Sequence, residues 1–325
     1  MIKHALALAL MTSPTLALAG HEASPDPSPR EIVRSAPASE WAVIPPEDLL
    51  VMTLPPDAKG KPRQVVIQLM PAPFSQGWVK NIRTLAKAHW WDGLTIYRSV
   101  DNWVVQWGDG EEAEEDRRRP AKPLPQGLNV VPESEYTVVE GLFGDLATPQ
   151  LTSPVTPQAM PDLYVHTGYA GFREGWPYAY DMTSAQWPTH CYASVGVARD
   201  LSPDTGTGAE LYAVIGHAPR QLDRNIAVVG RVIEGMAHLS ILPRGTGEYG
   251  VYETEREHTP IVSVRLGDDT GEFPPPRFEY LDTSSESFVR YVNALANRED
   301  EFYRVPAGGI DICNIRVPIR RVPSD

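Results

Sequence analysis

Only two cysteines, Cys191 and Cys313, occur in the 325 residues. That excludes the disulfide-dense small scaffolds, and with no C-x-x-C or H-x-x-x-H spacing a zinc site has no set of four ligands. Past residue 19 no apolar run reaches the ~18 residues that would span a bilayer. Positive charge is scarce as well: 29 Lys and Arg stand against 42 Asp and Glu, a net −13. This balance argues against nucleic acid or an anionic membrane surface as the main partner. No G-x-S-x-G or Walker pattern is present. The string Gly245-Thr246-Gly247-Glu248-Tyr249-Gly250 fits G-x-G-x-x-G by letter. It follows Pro243 and precedes the strand-like Val251-Tyr252-Glu253, so it reads as a turn and not as a pyrophosphate cradle. His89, His166, His217, His238 and His258 are scattered singly and read as structural or exposed.

What is abundant is proline, 32 residues, roughly twice the usual 5% share. Proline breaks helix interiors and cannot donate to a sheet ladder, so loops and edge strands are favoured over a helical bundle. With 42% hydrophobic and 22% charged residues the chain has the means to bury a sizeable core.

Residues 1–19 read as a cleavable secretory signal. Lys3 and His4 precede the run Ala5 to Met11, and Ala17-Leu18-Ala19 fits a small-x-small cleavage site, which puts the cut after Ala19. The expected location is outside the cytoplasm, in a periplasm, with no membrane span in the mature chain. An oxidising compartment makes Cys191 and Cys313 a candidate disulfide; two separately buried thiols are the alternative.

Residues 20–45, rich in Ser, Pro and Glu, read as a linker. Leu49 to Leu54 and Gln64 to Leu69 read as strands joined by a turn. A helix capped by Ser75 is expected next, with Trp78, Val79, Ile82, Leu85 and Ala86 on one face. Strands follow at Leu94 to Tyr97 and Trp103 to Gln106. From about 110 to 160 the composition shifts to an acidic run, Glu111 to Asp116, then Arg117-Arg118-Arg119 and a Pro-rich stretch, which reads as a solvated inserted loop. Strand patterns resume at Cys191 to Val197, Leu211 to Ile215 and Ile226 to Val229, with a short helix over Val232 to Leu239 and a strand over Pro260 to Leu266. Beyond Gly271 lies a C-terminal extension, 271–325, with one helix pattern from Ser284 to Asn297. Short strands with two helices suggest a closed or nearly closed antiparallel barrel.

One segment stands apart: Ile96-Tyr97-Arg98-Ser99-Val100-Asp101-Asn102-Trp103-Val104-Val105-Gln106-Trp107-Gly108-Asp109. It sets a cation on one strand and an apolar pair with an amide on the next. The segment resembles the signature of the cyclophilin-type peptidyl-prolyl isomerases, F-H-R-V-I followed by F-M-x-Q-G-G-D. Further resemblances come in order: Val79 to Leu85 to V-x-N-F-x-x-L, Ser194 to Val197 to S-M-A-N, Asp204 to Tyr212 to N-T-N-G-S-Q-F-F with one residue added, and Leu222 to Met236 to L-D-G-K-H-V-V-F-G-x-V-x-x-G-M.

The resemblance implies a mainly β fold over residues 46–270, a closed eight-stranded antiparallel barrel with two flanking helices, interrupted by the insertion. It implies isomerisation of X-Pro bonds in unfolded or partly folded proteins, with Arg98 as catalytic donor and no cofactor or metal. Trp103, Val104, Tyr212 and Leu222 are expected to form the apolar cup for proline. Gln106 is expected to bond the substrate backbone, and Gly196 and Val197 to offer main-chain groups. Glu210 stands where the family has Gln, and Ile226 where it has His. A carboxylate at 210 is expected near Arg98, where pairing with it would turn the guanidinium aside. Gln221 replaces the Trp that the family associates with cyclosporin sensitivity. The competing function is a proline-segment binding module or chaperone with little catalytic activity.

Overall fold

In the computed structural model the described residues are 27–110, 120–139, 160–166, 168–269 and 277–322. The expected signal at 1–19 and the acid–base run at 111–119 lie outside them. In chain order the elements begin with α1 (Pro29–Ser35), β1 (Trp41–Ile44), β2 (Leu49–Leu54), β3 (Arg63–Leu69), α2 (Gln76–Lys87), β4 (Thr95–Ser99) and β5 (Val104–Gly108). An inserted group holds β6 (Val138–Val139), β7 (Met160–Pro161), β8 (Gly168–Arg173), β9 (Trp176–Asp181) and β10 (Ala185–Pro188). Then come β11 (Ser194–Val197), β12 (Leu211–Val214), β13 (Val228–Glu234), α3 (Met236–Ser240), β14 (Thr259–Pro260) and β15 (Ser263–Leu266). The chain ends with β16 (Phe278–Leu281), α4 (Glu286–Ala296) and β17 (Ile319–Arg321).

The main sheet is a curled antiparallel one in the order β14-β4-β5-β12-β11-β13-β3-β2-β15. Its two edge segments, β14 and β15, are separated only by Ile261 and Val262, so one short stretch of chain draws the opposite edges together. Nine segments therefore stand where eight strands were expected, because the seam stretch is divided between the two edges. Side-chain alternation supplies the interior: Val65, Ile67, Val105, Trp107, Val195 and Leu211 point inward into one core, which α2 seals with Trp78, Ile82 and Leu85.

The outer face of part of this sheet is also covered, which is why β3 is buried on both sides. Val66, fully buried, packs with Ile44, Leu49 and Phe278 beneath the small sheet β1-β16-β17. A second core joins three separate stretches of sequence: Trp41 from the N-terminal part, Phe172 and Trp187 from the inserted sheet, and Leu281, Phe288 and Val292 from the C-terminal extension.

Several sequence expectations change accordingly. Residues 29–44 are no linker: Ser28 caps α1 in a reciprocal box with Glu31, and Trp41–Ile44 is a strand paired to β16. The insertion runs past 160 to Pro188, and its strands form a five-stranded sheet in the order β6-β10-β9-β8-β7. Pairing with β3 holds residues 228–234 extended, so the helix expected from Val232 begins only at Met236. Ser75 precedes α2 in a left-handed conformation (φ 55°), and its side chain makes no capping bond. Besides α2 and α3, an unexpected α1 is present, and α4 forms within the expected 284–297 pattern; both lie in the second layer.

Candidate active site

The site begins with an irregularity in one strand pair. Ile96 sits opposite Trp107 and Arg98 opposite Gln106, so Tyr97 is an extra residue, a β-bulge between β4 and β5. A bulge re-aims side chains that strict alternation would send to opposite faces. Ile96 keeps its place in the barrel core, while Tyr97 and Arg98 both reach Gln106 on the outer face.

There the side chains form a directed relay. Arg98 donates from Nη1 to Gln106 Oε1 (2.9 Å) and from Nε to the Tyr249 carbonyl (2.8 Å). Gln106 donates from Nε2 to the Tyr97 hydroxyl, which donates onward to Glu210 Oε2 at 2.8 Å. Glu210 also accepts the Asp109 N–H through Oε1. Gly108 makes room for this carboxylate: its φ is +146°, and a Cβ there would lie 2.2 Å from Glu210 Oε1. Glu210 is near Arg98 as expected, but the pairing that would turn the guanidinium aside is not made: three hydrogen bonds separate the two. Burial, reinforced by the charge and hydrogen bond of Glu210, pushes the Tyr97 phenol well above its ordinary range, so it stays a neutral donor. Burial draws the Arg98 guanidinium below its usual value against the opposing effect of Tyr97, and an arginine so placed keeps its charge.

Beside the guanidinium lies an apolar cluster. Val104, Tyr212 and Val214 are buried, and Trp103, Leu222, Ile226 and Ala198 pack against them. The Arg98 guanidinium sits 5.5 Å from the Trp103 ring centroid. All four expected cup residues are therefore in one patch next to Arg98, and Ile226 joins them. Gly196 is directly opposite Tyr212 in the β11–β12 ladder, and a Cβ on it would meet the Tyr212 ring at 2.3 Å, so glycine is required for the ring to lie there. Val197 differs from expectation: its side chain is in the barrel core and its N–H donates to Ala227 O at 3.1 Å, so that donor is engaged within the protein.

Sequence reasoning gave no role to the groups behind Tyr212. Its hydroxyl lies 2.9 Å from His190 Nε2, and His190 Nδ1 lies 2.9 Å from Asp223 Oδ1. Arg220 donates from Nε to Asp223 Oδ2 and from Nη2 to Asp162 Oδ2, both at 2.6 Å. Asp223 belongs to the L-D pair of the last motif and His190 adjoins Cys191, the only local signals they carried. Cys191 and Cys313 are joined by a disulfide with Cα atoms 5.0 Å apart, which ties β11 to the C-terminal extension. A cavity of about 400 Å³ lies away from the Arg98 site, between barrel and extension, lined by Met70, Trp176, Arg231 and the disulfide. Among the described residues no group of three or more His, Cys, Asp or Glu is placed to hold a metal ion. Nor is any helix among them long and apolar enough to cross a membrane.

The site chemistry is that of a fixed cationic donor beside an apolar cup. The family model described as cyclophilin type peptidyl-prolyl cis-trans isomerase/CLD matches residues 64–266, well over half of the chain. A search of the curated proteins found no match. Among solved structures, a cyclophilin from Hirschia baltica is similar over 88% of this chain and 94% of its own, with a TM-score of 0.60 and 19% identity. A cyclophilin type peptidyl-prolyl cis-trans isomerase from Cryptosporidium parvum, crystallised in the presence of the dipeptide Ala-Pro, covers 66% of this chain and 98% of its own, with a TM-score of 0.35 and 8% identity.

Proposed function

The chain belongs to the cyclophilin-type peptidyl-prolyl cis-trans isomerase family, and from that premise we propose that Arg98 is the donor that accelerates X-Pro rotation in exported proteins. Rotating a peptide bond crosses a barrier of about 18–20 kcal/mol, because the nitrogen lone pair is delocalised into the carbonyl. In the twisted transition state the lone pair localises on nitrogen and becomes a hydrogen-bond acceptor. A donor aimed there binds the transition state and gains nothing from the planar ground state, the condition for raising kcat.

The observation that carries this reading is the way Arg98 is held. Gln106 and the Tyr249 carbonyl engage Nη1 and Nε, which leaves the Nη2 donors for a ligand seated in the cup of Trp103, Val104, Tyr212, Leu222 and Ile226. Fixing the guanidinium in advance removes reorganisation from the reaction step. A cup without charge suits the pyrrolidine ring, and Gln106, close beside Arg98, is suited to bond the peptide backbone of the substrate. The export context is supported by the leader pattern at 1–19 and by a disulfide, which persists in oxidising compartments.

Protease-coupled isomerisation of an X-Pro peptide tests the assignment. Arg98→Ala should lower kcat/KM by roughly 10²–10³-fold, the usual cost of one preorganised transition-state donor, with little change in Tm. A variant as active as wild type would remove Arg98 from the mechanism. A wild type that binds proline peptides without isomerising them would make the chain a binding module. For export, the mature protein should begin at Gly20 in the periplasmic fraction; retention of full-length chain in the cytoplasm would refute it.

A further inference from the structure

The apolar cup has a polar foundation. Tyr212 supplies the most buried aromatic surface of the cup, only 4% exposed, and its hydroxyl faces the protein. His190, fully buried, receives it at Nε2 (2.9 Å) and meets Asp223 Oδ1 twice, through Nδ1 and through its own backbone N–H, each at 2.9 Å. An ionised carboxylate only accepts, so Nδ1 carries the proton and Nε2 is left to accept from the phenol. Burial raises the phenol's pKa, so it remains a donor. The second oxygen of Asp223 accepts from Arg220, 2% exposed, which spans to Asp162 in the inserted segment. Arg220 also lies over the Tyr164 ring at 4.8 Å.

Each link has directional consequences. A ring packed only by apolar contact slides with its neighbours, whereas a hydrogen bond at its far end fixes both depth and tilt. The charged links in the low-dielectric interior are short and costly to break, so Asp162, Arg220 and Asp223 form one hydrogen-bonded unit. The ring against which proline packs is thereby connected to the docking of the insertion.

Resting on the isomerase reading above, we propose that His190 and Asp223 are positioning residues that hold Tyr212 by its hydroxyl, and that Arg220 and Asp162 extend this hold to the inserted segment. Proline contacts the ring in ground and transition states alike, so the effect falls on KM and leaves kcat almost unchanged. The chemistry recognised is that of a prolyl ring in an extended peptide. The insertion thus sets the fit of the cup without touching substrate.

The experiment compares wild type, Tyr212→Phe, Asp162→Asn and the double variant, using the tetrapeptide Ala-Ala-Pro-Phe in the coupled assay and its Kd by calorimetry. Tyr212→Phe keeps the ring and deletes the anchor; KM and Kd should rise about fivefold, the fold-change of one net hydrogen bond, with kcat within twofold. Asp162→Asn should raise both in the same direction in wild type and add nothing in the Tyr212→Phe background. Unchanged KM and Kd in Tyr212→Phe would overturn the proposal. An undiminished Asp162→Asn effect in the double variant would overturn it too, because the influence would not run through the hydroxyl. Calorimetry keeps the two readings separate: a wild type that binds but does not turn over defeats the isomerase reading, and the same cycle on Kd still decides this one.

Discussion

The Tyr97 hydroxyl donates to Glu210 Oε2 at 2.8 Å, and this bond determines which way the neighbouring Gln106 amide faces. With its proton committed to the carboxylate, the phenol oxygen is an acceptor for Gln106 Nε2, and Gln106 Oε1 is left turned to Arg98. The anion at 210 therefore does not compete for the guanidinium. It acts at a distance, as the terminus that gives the relay its direction.

Tyr97→Phe should disrupt that order. It leaves Glu210 without its phenol donor and Gln106 Nε2 without its acceptor, so the amide that braces Arg98 is held at one end only. We expect kcat/KM to fall about tenfold, the equivalent of a buried polar partner lost. Glu210→Gln retains an oxygen for Tyr97 and should cost about threefold or less. The coupled assay on one peptide checks both, and equal activity of Tyr97→Phe and wild type would show that the relay does not set Gln106.

The disulfide yields a second expectation. Cys191 and Cys313 are 122 positions apart, and closing so long a loop stabilises by nearly 5 kcal/mol in the chain-entropy model. Protein purified without reductant should show no free thiol by alkylation and mass spectrometry, and reduction should lower Tm markedly. Two alkylatable cysteines in that material would contradict the structure.

The parts of this molecule that were legible in the sequence are those built from local patterns. The apolar face of α2 follows from periodicity, and the two strands joined by a short turn that carry Arg98 and Gln106 from the local pattern together with its resemblance to the family signature. The register that sets the two residues opposite each other comes from the structure. The bulge at Tyr97 left no such mark. The second layer was hidden for a different reason. Strands β8 and β9 carry Gly171 and Pro177, and their burial comes from elements remote in sequence: Ala170, Phe172 and Ala179 pack with α4 and Trp41, Trp176 and Tyr178 with the barrel core. The relay of residues 162, 190, 212, 220 and 223 likewise exists only once three loops converge. α1 was missed despite a local signal: Ser28 and Glu31 at capping-box spacing sit in a stretch whose Ser and Pro content suggested a linker.

Inhibition should separate this chain from cyclosporin-sensitive relatives. Gln221 is exposed in the short turn Arg220–Leu222, at the place where the resemblance puts a Trp. Lacking an indole, that position offers neither its apolar area nor its N–H donor. Weak inhibition is expected, and Gln221→Trp should tighten it at least tenfold; nanomolar binding by wild type would contradict the expectation.

The barrel seam gives a pH-dependent prediction. Asp92, just after α2, accepts from Arg265 on β15 through both oxygens (2.8 and 2.7 Å) and from the Val264 N–H at 3.2 Å. It thereby fastens the edge strand whose neighbour β14 closes the other side of the sheet. Burial on its own would raise the Asp92 pKa, but the Arg265 hydrogen bonds, the Val264 N–H and the Arg265 charge outweigh it, and the net shift is downward. A carboxylate depressed in the folded state binds its proton more weakly there than in the unfolded chain. Its contribution is therefore present above the unfolded value of about 3.9 and is lost as pH falls through the folded value. Asp92→Asn should cost about 1 kcal/mol at neutral pH, the upper end for a partly exposed pair. Urea unfolding at pH 7, 5 and 3 should show the difference between variant and wild type constant from 7 to 5 and shrinking at 3. A gap that does not narrow on acidification would mean that packing or the neutral hydrogen bond, and not the ion pair, holds the seam.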